Sequence, residues 1–496
     1  MLKPKHLVLS VFILLTVINP VQADSPPVDP KILHIINRLS FGPRPGDIAK
    51  VEHVGIEAYI QEQLAPEKIV EPASLSVQLS QLNALALTPV QLRDYATTIG
   101  IKDPTEMQKS LSRMRSNQLL QQAVRGRLLR AIYSPRQLQE VMVDFWYNHF
   151  NVDASKGVGN IWVGAYEQQA IRPFVLGRFR DLLGATAHHP AMLHYLDNSQ
   201  NRVIGGKTTP GKISPLNENY ARELMELHTL GVDGGYTQRD VTALAKILSG
   251  WGIIAPKKTS NHIFGFEFYP KNHDFSDKVF LKQKIKGSGK AEGELALDIL
   301  AKSPATARHI SYKLAQYFVS DRPPTSLVKR LSQTYLTTDG NIRAVLNTLF
   351  RSPEFWDAKN INNKFKTPYQ YAISSVRATG VEVKNVSPIV NILQQLGMPV
   401  YRCPTPDGYK NTQGAWLNAD GMTRRLNFAT AIANGSLPFS SSGKNSQANI
   451  AKPVDSEILA QTLGNNFSAK TQNAIASSPQ NIRSALILGS PEFMRR

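Results

Sequence analysis

Apolar residues at helical spacing recur along almost the whole chain, and this pattern restricts the fold more than any other feature. One example, with intervals of three, one and three residues, is Leu138, Val141, Met142 and Phe145. Ser214-Pro215 and Thr237 are of the types that begin helices, and Gly231 is of the type that ends them. The pattern predicts a mainly α fold built as one large multi-helix domain.

Residues 261–287 are the exception, because they have the character of β-strands. His262 to Tyr269 is aromatic and partly alternating, and Lys278 to Ile285 alternates again. We therefore expect a small β-hairpin insertion at about residues 261–287, with its connection running from Pro270 to Asp277.

The first 23 residues have the order of a secretory signal peptide. Lys3 and Lys5 precede an apolar run from Leu7 to Ile18, and Val21-Gln22-Ala23 follows. This predicts cleavage after Ala23 and a periplasmic or secreted protein. The alternative is an uncleaved anchor, but the run is shorter than the roughly 20 residues that a spanning helix needs. No later stretch is apolar for that length, so we expect no transmembrane segment in the mature chain.

Composition suggests boundaries beyond the signal peptide. A helical domain is predicted over residues 24–434, followed by a Ser/Gly/Asn-rich linker or loop at 435–452. Residues 453–496 are predicted to be a C-terminal helical segment packed on the main domain. Cys403 is the single cysteine, which excludes an internal disulfide. Its thiol is either buried and inert or available for an intermolecular bridge.

The chain is basic, with 57 Lys+Arg against 38 Asp+Glu and a formal net charge of +19. Loss of Lys3 and Lys5 with the signal peptide lowers this charge by two, to +17. Such a charge favours partners such as an anionic polysaccharide, although charge that only maintains solubility is the alternative. No specific nucleic-acid motif accompanies it.

The densest polar cluster lies between residues 217 and 231. On a helix, Asn219, Glu223 and Glu226 share one face, and Arg222 is an ion-pair neighbour. Two interpretations remain open. The carboxylates are either inward-facing acids or ligands of a divalent metal, or they belong to an ion-pair network with Arg222.

Histidines offer further candidates. His149 lies near the end of an aromatic segment, residues 144–151. It could serve as a metal ligand, as a general base or as a structural hydrogen-bonding group. His188, His189 and His194 are close in sequence, but no His-Glu-x-x-His motif is present. A Gly-x-Ser-x-Gly nucleophile motif is missing as well.

Several ordered stretches together resemble one bacterial family. They are 34–43, 145–150, 195–198, 217–231, Gly250-Trp251, His273-Asp274, 302–355, Pro406-Asp407-Gly408-Tyr409 and Trp416-Leu417-Asn418. The chain resembles the domain-of-unknown-function 1800 family over about residues 30–435, and the resemblance extends to the C-terminal helices. The resemblance implies an exported, mainly helical protein, and it implies a second exported protein encoded nearby as a partner. No reaction is established for the family.

The family motifs map onto six residues of this chain, namely His149, Asn198, Asn219, Arg222, Glu223 and Glu226. Two functional hypotheses follow. The first is an exported envelope protein that acts with a partner protein or an anionic polymer. The second is an exported enzyme whose helix-lined pocket contains His149, Asn219, Glu223 and Glu226, with Arg222 orienting the substrate and with Glu223, Glu226 and His149 as candidate metal ligands. The second requires that the helix of His149 faces the helix of Glu223.

Overall fold

A computed structural model describes residues 28–97, 103–203, 216–255, 265–440 and 452–496. Within these ranges the chain forms 24 α-helices and four short strands, so the predicted mainly α fold with a small β insertion is confirmed. The signal peptide, most of the 435–452 linker and the Ser214-Pro215 helix start lie outside the described residues. The proposed domain boundaries stay a prediction.

The helices fall into three groups along the chain. The first group is α1 (Pro30–Leu39), α2 (Asp47–Val54), α3 (Ile56–Leu64), α4 (Ala73–Ser80), α5 (Pro89–Ala96), α6 (Glu106–Tyr133) and α7 (Gln137–His149). The second is α8 (Gly159–Ala165), α9 (Phe179–His188), α10 (Pro190–Tyr195), α11 (Asn219–Glu223), α12 (Gln238–Ile247), α13 (Lys290–Lys302), α14 (Pro304–Phe318), α15 (Thr325–Thr337), α16 (Ile342–Phe350) and α17 (Pro353–Trp356). The third is α18 (Pro368–Thr379), α19 (Ser387–Gln395), α20 (Gln413–Trp416), α21 (Ala419–Ala433), α22 (Ser456–Thr462), α23 (Ala469–Ala476) and α24 (Gln480–Leu488).

Side-chain caps explain where several of these helices begin. Four threonines form reciprocal capping boxes with the residue three positions later, and they are Thr88, Thr105, Thr237 and Thr367. Each box satisfies two backbone groups that a helix end would otherwise leave without a partner. The start predicted at Thr237 is confirmed.

Two helices continue into π-helical turns, at Tyr166–Ile171 after α8 and at Leu224–His228 after α11. Apolar spacing cannot show where the backbone hydrogen bonds lengthen from four residues to five. Such π-helical turns occur often at functional sites.

The strands pair differently from the expected hairpin. Strand β1 (Trp251–Ile253) pairs antiparallel with β2 (Phe266–Phe268), and β3 (Lys278–Phe280) pairs with β4 (Gln283–Ile285). The turn between β3 and β4 is formed by Leu281 and Lys282, whose φ angles are 47° and 66°. Positive φ at both positions is what a two-residue hairpin turn requires. The hairpin therefore lies wholly within residues 278–285.

A buried ion-pair network joins α6, α7 and the first π-helical turn. Glu167 is fully buried and accepts hydrogen bonds from Arg127 and Arg172, each at 3.2 Å, and from the hydroxyl of Tyr401 at 2.8 Å. Arg127 also donates to Asp144 at 2.7 Å.

None of the helices in the described ranges combines the length and apolarity that crossing a bilayer requires.

Candidate functional site

The C-terminal end of α7 holds a loop that runs from residue 403 to 409. The side-chain amide of Asn148 donates to the carbonyl of Tyr409 at 2.8 Å, and its oxygen accepts from the Tyr409 N–H at 2.7 Å. The amide of Asn151 donates to the carbonyls of Cys403 and Thr405, both at 2.9 Å. The segment 144–151 therefore fixes the position of Asp407, which lies between these contacts.

Gly408 allows this loop to approach α7, and its substitution is the first prediction. Its φ is +72°, and an added Cβ would lie 2.2 Å from the Asn148 carbonyl oxygen. We expect Gly408→Ala to lower the free energy of unfolding by at least about 2 kcal/mol, because left-handed backbone and steric overlap both oppose the side chain. Urea denaturation measures it. Gly414→Ala is the control, since its Cβ would meet no atom within 4 Å. Equal stability of the two variants would contradict the described loop contact.

The same end of α7 holds the second π-helical turn. His149 Nε2 lies 3.0 Å from the carbonyl oxygen of His228, and His309 Nε2 lies 3.2 Å from that of Leu227. A carbonyl only accepts, so both histidines donate through Nε2. Burial lowers the pKa of His228 to about 3 and that of His309 to about 4, and it holds the pKa of His149 well below its usual range. His149 is thus neutral, and its ring contacts the π-helical turn that follows α11, the helix that ends at Glu223.

Three half-buried carboxyl groups are called here the carboxyl cluster: Glu223, together with Glu226 and Asp407, which lie close enough for their charges to act on it. Burial raises the pKa of Glu223, and the charges of Glu226 and Asp407 raise it further. Burial acts in the same direction on Asp407, but hydrogen bonds from Lys410 and Thr405 prevail and lower its pKa. Folding therefore shifts the pKa values of these two carboxyl groups in opposite directions: the pKa of Glu223 is raised and that of Asp407 is lowered.

Arg222 forms no ion pair with the carboxyl cluster in the described ranges, although its charge partly offsets the rise in the pKa of Glu223. Its guanidinium lies 3.5 Å from Glu218 and donates to Gln238 at 2.9 Å, so the predicted ion pair of this helix involves Glu218. Asn219 is exposed and donates to the carbonyl of Leu196 at 3.3 Å. Within the described ranges Glu223 has no direct hydrogen-bond or ion-pair partner.

Lys313 lies near both Asp407 and the three buried histidines, and its charge acts on these histidines. The reactivity of its amine is the second prediction. No side chain in the described part of the chain bonds to its amine. Burial lowers its pKa to about 8, and the nearby charge of Asp407 opposes this. We expect reductive methylation of Lys313, followed by peptide mass spectrometry, to rise with pH through a midpoint near 8. A midpoint near 10.4, which is the ordinary value for lysine, would contradict this environment.

The candidate metal ligands can be compared with this geometry. Glu223 and Glu226 lie together, whereas His149 has only Nδ1 left to offer, because Nε2 donates to His228. No group of three or more His, Cys, Asp or Glu side chains suited to a metal ion occurs among the described residues. The divalent metal gains no support from this arrangement and stays a prediction.

The other histidines lie in separate surroundings. His189 caps α10 through Nδ1, and His188 stacks on Trp251 with ring centroids 4.7 Å apart. His273 lies between Ser249 and Glu292, with Nε2 2.9 Å from the Glu292 carboxylate. This resembles a nucleophile triad. However, all three residues are buried, and the Ser249 hydroxyl donates to a backbone carbonyl 2.6 Å away, so the cluster is structural.

Sequence reasoning missed Asp407 and Lys313 as members of the site. Asp407 carried a usable signal, because it belongs to a motif shared with the family. Lys313 carried none, since nothing around it in the sequence differs from an ordinary helix. Asn198 also has a motif signal, but it is buried and donates to the carbonyls of Leu248 and Trp251, so its role is structural.

Fold and site together define a mainly helical protein with a half-buried group of carboxyl side chains. The family described as "Protein of unknown function (DUF1800)" matches residues 34–495, and the chain belongs to that family. No curated protein and no solved structure is detectably similar to this chain.

Proposed function

We propose that the protein is an exported hydrolase of glycans, in which Glu223 is the general acid and Asp407 is the base or nucleophile. The observation that carries the proposal is the convergence of Glu223, Glu226 and Asp407 from two segments that α7 holds in place. Lys313 lies close enough to Asp407 and to the neutral histidines for its charge to act on them. The residue types and the effects of their charges on one another support one polar reaction centre.

The chemistry follows from the different surroundings of the two carboxyl groups. A carboxyl group with a raised pKa retains a proton that it can give to a leaving group. A carboxylate with a lowered pKa stays ionised and can activate water or attack carbon. Glycoside hydrolases use such a pair on either side of the bond they break.

Other nucleophiles near the site are less suited to this role. Burial raises the pKa of the Cys403 thiol, and a reactive cysteine requires the opposite. Cys403 is also 3% exposed, which favours the buried and inert interpretation over an intermolecular bridge. Lys313 is placed to hold Asp407 by charge and to orient a polar substrate.

The third prediction concerns activity on a panel of peptidoglycan, neutral polysaccharides and acidic polysaccharides. We expect wild-type protein to release reducing ends from at least one member, and Glu223→Gln and Asp407→Asn to lower the rate 10²- to 10⁴-fold, as is usual for lost acid–base groups. At low pH the rate should fall as Asp407, which must be ionised, becomes protonated. At high pH the rate should fall as Glu223, which must be protonated, loses its proton.

Exposed substitutions provide matched controls for this assay. Glu457→Gln and Lys470→Met change exposed charges on helices α22 and α23 and should leave the rate unchanged. Unaltered turnover in Glu223→Gln, or no reducing ends from any glycan, would contradict the proposal.

Export belongs to the same proposal and is supported by the pattern of residues 1–23. Fractionation of cells should place the mature protein, starting at Asp24, outside the cytoplasm. An anionic polysaccharide or a second exported protein remains the partner suggested by charge and family resemblance. The charge argument is weakened because Arg38, Lys366, Arg425 and Arg496 are buried, so part of the formal charge does not reach the surface.

A further inference from the structure

A second group of ionisable residues lies apart from the carboxyl cluster and is almost wholly basic. Its four cations are each at most 3% exposed, and they are Arg38, Lys366, Arg425 and Arg496. None of them has a carboxylate within ion-pair distance in the described ranges. Buried charges are normally paired, because removing an ion from water costs several kcal/mol. Arginine cannot relieve this cost by losing its proton.

The nearby carboxylates are already engaged. Asp321 pairs with Lys364, and Asp144 pairs with Arg127. Glu492 accepts hydrogen bonds from the Ser468 N–H and from the Thr471 hydroxyl. Each of the three arginines donates to a backbone carbonyl, at 2.6–2.8 Å, and Lys366, Arg425 and Arg496 also lie over aromatic rings. Examples are the Lys366 amine at 3.9 Å from the Phe493 ring centre and the Arg496 guanidinium at 4.5 Å from that of Tyr317.

Several buried nitrogen atoms of this group have no hydrogen-bond partner. They are Arg38 Nε and Nη1, Arg425 Nε, Arg496 Nε and His34 Nδ1. Native proteins leave few such atoms, so a concentration of them indicates a missing ligand. Burial, and then the charges of Arg425 and Arg496, hold the pKa of Lys366 well below its usual range. An anion would relieve this repulsion.

A pocket of about 50 Å³ opens at this position. His34, Lys366 and Arg496 line it, together with the carboxylate of Glu492, which Ser468 and Thr471 already hold, and Asn466 is an exposed residue of the lining. At about 10–15 Å³ for each water, the volume corresponds to three or more waters. That is enough for one small oxyanion.

We propose that this basic pocket, formed by His34, Asn37, Lys366 and Arg496, binds a phosphate group, either free or as a phosphomonoester. Arg496 and Lys366 supply positive charge, and Arg38 adds charge behind His34. His34 discriminates between oxyanions. Its Nε2 lies 3.0 Å from the Phe355 carbonyl and must donate to it, so Nδ1 can only accept. Hydrogen phosphate has an O–H group for this nitrogen, whereas sulfate at neutral pH has none.

Isothermal titration of the full mature chain with inorganic phosphate tests the proposal, with sodium sulfate and glycerol phosphate as parallel titrants at equal ionic strength. We expect wild-type protein to bind phosphate, and Lys366→Met to weaken binding at least tenfold. Lys470→Met removes an equal charge from an exposed position and should bind as the wild type does. Glycerol phosphate binding as well as phosphate would assign the site to phosphomonoesters, and its exclusion would assign it to the free ion.

A second variant guards against a folding defect in Lys366→Met. Asn37→Asp is isosteric and places a carboxylate in the pocket wall, so it should raise stability and weaken phosphate binding at least tenfold. Absence of phosphate binding to the wild type would overturn the proposal. Equal binding of sulfate, or unchanged binding in both pocket variants, would overturn it too.

Discussion

We expect the protein to lose most of its stability between pH 7 and pH 4.5, because it buries histidines in the neutral form. Burial lowers the pKa of His34, His189 and His228 to about 3 in each case. The unfolded chain takes up protons at these residues below about pH 6.5, and the folded chain does not. Stability therefore falls as the pH drops from about 6.5 toward 3, by about 2–3 kcal/mol for each histidine at pH 4.5.

This loss is comparable to the whole stability of an ordinary domain, about 5–15 kcal/mol. Urea unfolding at several pH values measures it. His189→Asn should flatten the curve by about one histidine's share, since the asparagine oxygen can replace Nδ1 as the cap of α10. The exposed His53→Gln is the control. A free energy of unfolding that stays constant from pH 7 to 4.5 would contradict neutral burial of these histidines.

We expect Glu167→Gln to lower the free energy of unfolding more than most single side-chain substitutions. It leaves Arg127 and Arg172 buried without the carboxylate that lies between them, and the loss of one partner from a buried pair costs about 3–5 kcal/mol. Chemical denaturation at pH 7 measures the change. Glu457→Gln alters an exposed glutamate and should stay within about 0.5 kcal/mol of the wild type. A loss below about 1 kcal/mol in Glu167→Gln would show that the network is not held by this carboxylate.

The helical part of the fold could be predicted because its signals are local. Spacing and caps, such as Thr237 with Asp240, act over one or two helical turns. The strand pairing was less predictable. Trp251 pairs with Phe268 across residues that carry no local signal for that register, and the β3–β4 turn uses Leu281 and Lys282, which are not typical of turns.

The candidate site was predictable only in part, for a similar reason. The carboxylates Glu223 and Glu226 share a short segment, so their proximity follows from the sequence. Asp407 lies more than 180 residues further along the chain, and Asn148 brings it into the site through two hydrogen bonds to Tyr409. Long-range contacts of this kind depend on the packing of the whole fold. The hydrogen bond from His149 to the His228 carbonyl likewise joins residues far apart in the sequence and became evident only from the fold.

The central claim is that Glu223 and Asp407 lie in opposite electrostatic environments, and unfolding free energies at pH 7.5 test it without a known substrate. A carboxyl group whose pKa is raised by folding destabilises the native state when it is ionised, and one whose pKa is lowered stabilises it. We therefore expect Glu223→Gln to be more stable than the wild type, and Asp407→Asn to be less stable. If Glu223→Gln were the less stable variant, or if both substitutions shifted stability in the same direction, the acid and base assignments would be wrong.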